Sequence, residues 1–382
     1  MARRVLVTGG AGFIGMHVVR HLLEKKYEVI VFDVLDPQVH GITQNCSVVD
    51  NKGLQFSKAD VRDRESLKKA VSESDAIIHL AARVGVSQSM YEVERYVDNN
   101  SRGTACLLDI LVNEEHDINK VVVASSMSVY GEGGYWCPKC ETAVYPDFRP
   151  EQTLKGGRWE HLCPTCNSPL IPQPTHENTP LRPTSIYGMS KRHQEEMSLL
   201  IGKTYGIPTV ALRFFNVYGP GQALSNPYTG CIAIFSSRIM NNKPPIVFED
   251  GKQLRDFIYV DDVARANVWS LENHRCDYQA MNVGTGKPTS ILDIARTLLT
   301  LYNNDVSPLV TNQNRVGDIR HCYADTHQIE KAGFGTIYGI EEGLKETIEW
   351  ASKQTAQDLS ENAMFQLESH GLIKNSGKDG SI

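Results

Sequence analysis

The chain has 382 residues, 41% of them hydrophobic and 22% charged, with a formal net charge of -6, an ordinary composition for a folded protein too long for one small core. An acidic balance leaves no footprint for nucleic acid or an anionic membrane, and no apolar run nears the ~20 residues of a membrane span. Nine cysteines, four of them in two C-P-x-C pairs, suggest a bound metal and a reducing, cytoplasmic home more than a disulfide framework.

The first predicted element is a short buried strand, Arg4 to Thr8. It runs into Gly9-Gly10-Ala11-Gly12-Phe13-Ile14-Gly15 and then an amphipathic helix ending near Lys25 or Lys26. A strand, a glycine turn and a helix start suit a dinucleotide: backbone can approach the pyrophosphate, and helix N-terminal amides face it. Gly9, Gly12, Phe13, Ile14 and Gly15 are therefore candidate cofactor contacts. The next strand, Tyr27 to Phe32, ends at Asp33, 18 residues after Gly15, where a carboxylate can bind ribose hydroxyls and would repel a 2′-phosphate. That favours NAD over NADP. Two more strand ends, at Asp60-Val61 and at Leu80-Ala81-Ala82, are predicted on the same edge of a parallel sheet. A helix from about 100 to 115 follows, then a strand from Lys120 to Ala124 that delivers Ser126 to the crevice, although a serine there is more often a turn former. The fold class expected is α/β, a Rossmann-type doubly wound parallel sheet with a smaller C-terminal α/β substrate lobe and a zinc-ribbon-like insertion.

Between Gly131 and Thr179 the chain carries Cys137-Pro-Lys-Cys140 and, after 22 intervening residues, Cys163-Pro-Thr-Cys166. Two such knuckles can give four thiolates to one tetrahedral zinc, which would shape a loop with few large apolar residues. A fully thiolate-bound zinc has no open position, so its expected role is structural. The charges between the knuckles balance, which argues against a nucleic-acid ribbon. The other five cysteines, Cys46, Cys106, Cys231, Cys276 and Cys322, lack ligand spacing and read as core or surface thiols.

Downstream, S-I-Y-G-M-S-K (185 to 191) places Tyr187 and Lys191 one turn apart on a predicted helix. A cation beside a phenol favours the phenolate, so Tyr187 is a candidate proton acceptor. Tyr135 and Lys139 share that spacing, but Pro138 between them works against a helix. Thr209 to Phe214 is a further core strand, with Asn216 after it at the crevice. Ser225 to Met240 and Ile246 to Asp250 read as parts of a smaller lobe, broken at Pro244-Pro245. Asp261-Asp262 read as the start of a helix through Glu272 rather than a metal pair. From Thr355 one more helix is expected, and Asn375 to Ile382 read as disordered.

T-G-G-A-G-F-I-G (8 to 15), H-L-A-A (79 to 82), N-S-R-G-T (100 to 104), S-S-M-S-V-Y-G (125 to 131), Y-G-M-S-K (187 to 191), R-F-F-N-V-Y-G-P (213 to 220) and R-D-F-I-Y-V-D-D (255 to 262) occur in one order. In them the chain, from about 4 to 350, resembles the extended short-chain dehydrogenase/reductases that epimerise or dehydrate nucleotide sugars. The resemblance implies a catalytic set of Ser126, Tyr187 and Lys191, support of the Lys191 side by Asn100, and a nucleotide diphosphate held by Arg255 and Arg320. It also implies a homodimer formed through helices at about 100 to 115 and 187 to 204. The domains expected are 1–216 with about 257–275 for NAD, an insertion at 135–175, a substrate lobe of 217–256 and 276–354, and a tail at 355–382.

The 4,6-dehydratases of that family carry an Asp-Glu pair after the residue matching Ser126. Here Met127 and Ser128 stand there, and neither can shuttle the proton that elimination requires. A 4-epimerisation is therefore expected, and the stretches 37 to 41, 82 to 91, 222 to 230 and 316 to 322 resemble those of epimerases acting on dTDP-L-rhamnose. Val84, Val86 and Met90 are candidates for an apolar patch around a 6-methyl group, or for core. A UDP-hexose or UDP-hexuronate epimerase is the second reading. A non-catalytic NAD-binding sensor, with the cysteine knob meeting a partner, is the alternative from another class.

Overall fold

The computed structural model describes residues 3–41 and 53–375. Cys46 and the segment 376–382 lie outside them. Seven strands form one parallel sheet in the order Gln279–Val283, Thr209–Phe214, Val121–Ser126, Ala76–His79, Arg4–Thr8, Glu28–Asp33 and Leu54–Lys58. Runs such as Val121-Val122-Val123 are buried on both sides, as parallel strands covered by helices must be. Strand periodicity sorts them: Val5 and Val7 join a core against helices Phe13–Glu24 and Val260–Glu272, while Leu6 joins the opposite core. That second core packs the sheet against helices Arg64–Ser72, Gly103–Asn113 and Ile186–Tyr205. The order reverses between Arg4–Thr8 and Ala76–His79, and an open α/β sheet binds ligands in the crevice beyond the carboxyl ends of its strands at such a point.

One boundary moves. Gln279–Val283, expected in the substrate lobe, is the edge strand of the large sheet, in register with Thr209–Phe214. Its alternation alone did not say which sheet it would join. The smaller lobe has its own core, where helices Cys231–Met240, Ile291–Leu301 and Ile340–Ala351 surround the strand Leu254–Tyr259.

The insertion is a three-stranded antiparallel sheet of Thr142–Val144, Gly134–Cys137 and Ile171–Gln173. Tyr135, Cys137, Cys163 and Leu170 are its small buried centre, too little apolar surface to hold it alone. A buried ion cluster fastens it to the substrate lobe. Arg149 donates to Glu249 at 2.7 Å and to the carbonyl of Asp318 at 3.1 Å. Arg320, fully buried, donates to Glu249, Asp250 and Glu160. Its own N–H is taken by Glu132 at 2.6 Å.

Candidate active site

A cavity of about 590 Å³ runs across the carboxyl ends of the sheet strands and into the smaller lobe. At its first end the glycine turn is fixed by close approach. Gly9 has φ +70°, and a Cβ on Gly15 would stand 2.2 Å from the Gly9 carbonyl oxygen. A Cβ on Gly12 would meet no protein atom closer than that same oxygen, at 3.3 Å. No side chain caps the helix that begins at Phe13, so its first amides are left for an anion. Asp33 is oriented by the amides of Ala11 and Leu35, at 3.1 and 2.8 Å. Gly9, Gly12, Phe13, Ile14, Gly15, Asp33, Asp60, Val61, Leu80, Ala81 and Ala82 all line this cavity. An uncapped helix start beside glycine backbone, with a carboxylate one strand away, fits a dinucleotide.

At the centre stand Ser126, Tyr187 and Lys191. Ser126 ends its strand, and its Oγ accepts from the Ser128 amide at 3.2 Å. Tyr187 and Lys191 lie on helix Ile186–Tyr205, whose start is fixed by the Ser185 hydroxyl accepting from the Gly188 amide at 3.0 Å. Burial raises the Tyr187 phenol above its usual range, and a hydrogen bond with Ser126 opposes that rise. Burial pushes Lys191 down to about 7, against the pull of Glu195. The Lys191 ammonium donates to Gln194 at 2.7 Å, and Gln194 in turn donates to Thr104 at 2.7 Å.

Asn100 does not line the cavity. It is fully buried behind it, in the π-helical turn Val97–Arg102, where it accepts from the Arg83 amide at 2.7 Å and donates to Ser190 at 2.9 Å. Wide turns of this kind recur at functional sites. Here it holds the loop after Ala82 against the helix that carries Lys191, so its link to Lys191 is indirect.

At the far end Asn216 and Arg255 line the cavity. Arg255 spends three donors on the carbonyls of Leu254, Ile319 and Arg320, which leaves two of a guanidinium's five for a ligand. Arg320 is corrected by the structure: it is 0% exposed, bound by carboxylates and outside the lining. Arg315, five residues earlier, lines the cavity instead, with Nε on Asp318 at 2.8 Å and its guanidinium 4.6 Å from the centre of the Phe248 ring. The sequence reading missed it. The signal was an arginine on each side of the Gly317 turn, and only the lobe's packing decides which one faces in. Buried oxygens of Asn216, Gln222 and Gln253 have no partner among the described residues, and all three residues line this end. A buried acceptor without a donor is costly, so a ligand with hydroxyl or N–H groups suits them. Val84 and Val86 line the cavity, but Met90 does not.

The four sulfurs of Cys137, Cys140, Cys163 and Cys166 lie within 4.8 Å of one another. Cys137 and Cys166 are 3.5 Å apart, and Cys140 and Cys163 are 3.9 Å apart. Tetrahedral zinc with Zn–S near 2.3 Å requires about 3.8 Å between sulfurs, so the donor set fits it.

A doubly wound sheet with a serine, tyrosine and lysine at its crevice defines an extended short-chain dehydrogenase/reductase. The comparisons agree: residues 165–284 match the NAD dependent epimerase/dehydratase family and residues 6–148 match GDP-mannose 4,6 dehydratase. The chain belongs to the NAD dependent epimerase/dehydratase family, and it is an enzyme. It is 34% identical to a dTDP-L-rhamnose 4-epimerase of Burkholderia thailandensis, over 92% of this chain and 96% of that protein. Among solved structures it is similar to a UDP-N-acetylglucosamine 4-epimerase of Methanobrevibacter ruminantium in complex with UDP-N-acetylmuramic acid, with a TM-score of 0.76 and 31% identity, over 93% of this chain and 99% of that one. It is also similar to a UDP-glucose 4-epimerase of Thermus thermophilus in complex with NAD, with a TM-score of 0.72 and 27% identity, over 92% and 100%.

Proposed function

We propose that the protein is an NAD-dependent nucleotide-sugar 4-epimerase that interconverts dTDP-L-rhamnose and dTDP-6-deoxy-L-talose. The observation that carries the reading is the cavity's centre: Ser126, Tyr187 and Lys191 line it together, while Met127 is buried and, among the described residues, the Ser128 hydroxyl meets only Ser126. An oxidation site is present without the carboxyl pair of an elimination. Gly9, Gly12, Phe13, Ile14, Gly15, Asp33, Asp60, Val61, Leu80, Ala81 and Ala82 would hold NAD, which supplies the hydride acceptor and later the donor. Ser126 would bond the sugar 4-oxygen, and Tyr187 would take its proton. Lys191 lies close by on the same helix and adds positive charge when protonated, which favours the phenolate. Asn216, Arg255 and Arg315 would hold the diphosphate, the arginines because their planar forks match phosphate oxygens. After oxidation the keto-sugar must turn so that its other face meets the returning hydride.

The names of the relatives favour dTDP-L-rhamnose from one side and UDP-hexoses from the other. Purified protein given each nucleotide sugar in turn, with products read by NMR, decides between them. Inversion at C4 of dTDP-L-rhamnose is expected, and 4-deuterated substrate should turn over more slowly. Inversion without that slowing would sink the hydride mechanism. We further propose structural zinc on the four cysteines, with about one zinc per chain by elemental analysis as its check. Met189 and Leu200, exposed on helix Ile186–Tyr205, support a homodimer through that helix. A cytoplasmic setting suits the thiolates.

A further inference from the structure

The C-terminal segment, expected as an appended tail, reaches the cavity. Helix Ser360–Ser369 sets Ser360, Ala363, Met364 and Leu367 on the cavity wall, the i, i+3, i+4, i+7 spacing of a single helical face. Phe365, on another face, is 67% exposed. The segment is fastened on both sides of the opening. Before the helix, Asp358 pairs with Arg238 at 3.1 Å with both side chains buried, and the Gln357 amide donates to Ser225 at 2.9 Å. After it, His370 stacks on Tyr91 with ring centres 4.5 Å apart, and Tyr91 donates to the cavity-lining Tyr228 at 2.7 Å. The strand Ile373–Asn375 then pairs antiparallel with Gln313–Arg315, opposing Ile373 to Arg315.

We propose that residues 355–375 form the outer wall of the nucleotide end of the cavity, and that Met364 and Leu367 help determine which nucleoside diphosphate it accepts. The inference rests on the nucleotide-sugar reading. Its own warrant is chemical: apolar Met364, Leu367 and Phe248 share this end with the cation of Arg315, a combination suited to a flat base joined to phosphates. Because Arg315 lies on the strand that the segment pairs with, the wall also positions that cation.

The test uses NAD-loaded protein titrated with dTDP and with UDP by calorimetry. Met364→Trp, which fills the wall's inner face, should weaken dTDP binding more than tenfold and leave the NAD content per chain unchanged. A chain ending at Gln354 should lose a similar factor and discriminate dTDP from UDP less than the full chain does. If it fails to fold, Met364→Trp and the milder Met364→Ala carry the test. Wild-type affinity for both nucleotides in Met364→Trp would overturn the wall while leaving the nucleotide-sugar reading intact. Failure of the wild-type chain to bind either nucleotide would overturn both.

Discussion

The two ends of the cavity are built in opposite ways. The cofactor end is local: a strand, the four-residue turn Gly9 to Gly12 and a helix start supply its centre, and Asp33 follows at the end of the neighbouring strand. The far end, proposed for the nucleotide, is assembled from Asn216, Arg255, the strand Gln313–Arg315 and the helix Ser360–Ser369, with Arg149 of the insertion and Arg320 bracing it. The difference teaches that a binding site made of backbone geometry can be encoded in one stretch. A site made of converging side chains depends on every segment that braces them.

The sharpest test lies between the ends. Tyr187→Phe removes the proton acceptor but neither wall, so kcat should fall by about 10²- to 10⁴-fold while NAD content and dTDP affinity hold. A non-catalytic sensor would show no such fall. Next comes the nucleotide end. Arg320→Met takes the guanidinium from the partly buried Glu160 and Asp250 and leaves the buried carboxylate of Glu249 with Arg149 alone. The loss of stability should be about 3–5 kcal/mol by denaturant titration, with substrate KM raised in whatever folds. A stable variant with native KM would mean that the brace is not needed.

The cofactor end breaks differently. At Gly15 a Cβ would press on the Gly9 carbonyl, so Gly15→Ala should cost about 1–3 kcal/mol through overpacking and lower NAD retention more than dTDP affinity. Equal loss of both would blur the contrast.

The smallest effect is a pH dependence of the insertion. Burial alone would raise the Glu160 carboxyl, but its bonds to His321 and Arg320 outweigh that and hold it at about 2, below the usual 4.5. A carboxylate depressed by folding gives its stability in full above pH 4.5 and loses it as pH falls toward 2. Glu160→Gln should therefore flatten the acid limb of a thermal-melt profile in that window. Glu160 is half-exposed, so the change should be slight.

Legibility followed the same division. The glycine turn, Asp33, Ser126, Tyr187 and Lys191 were readable because each sits at a fixed offset from a strand end or on one helical turn, and local periodicity sets those offsets. The four cysteines were readable as a cluster because the C-P-x-C spacing is local within each knuckle, and the fold brings their sulfurs together. Arg320 and Arg315 could not be told apart, since the turn at Gly317 and the carboxylates of Glu160, Glu249 and Asp250 decide which one is buried. Asn100 was expected near a helix start, but the wide turn at Val97–Arg102, which carries no clear sequence mark, buries it behind the cavity.

Sequence by itself determined the doubly wound sheet, the glycine turn and the residues gathered at the cavity's centre, since hydrophobic periodicity and backbone sterics act over a few residues. Tertiary structure alone decided that Gln279–Val283 closes the large sheet, that Arg315 faces the cavity and Arg320 does not, and that the chain's last helix becomes a wall. Those outcomes depend on which distant surfaces bury one another, and burial is a property of the packed whole.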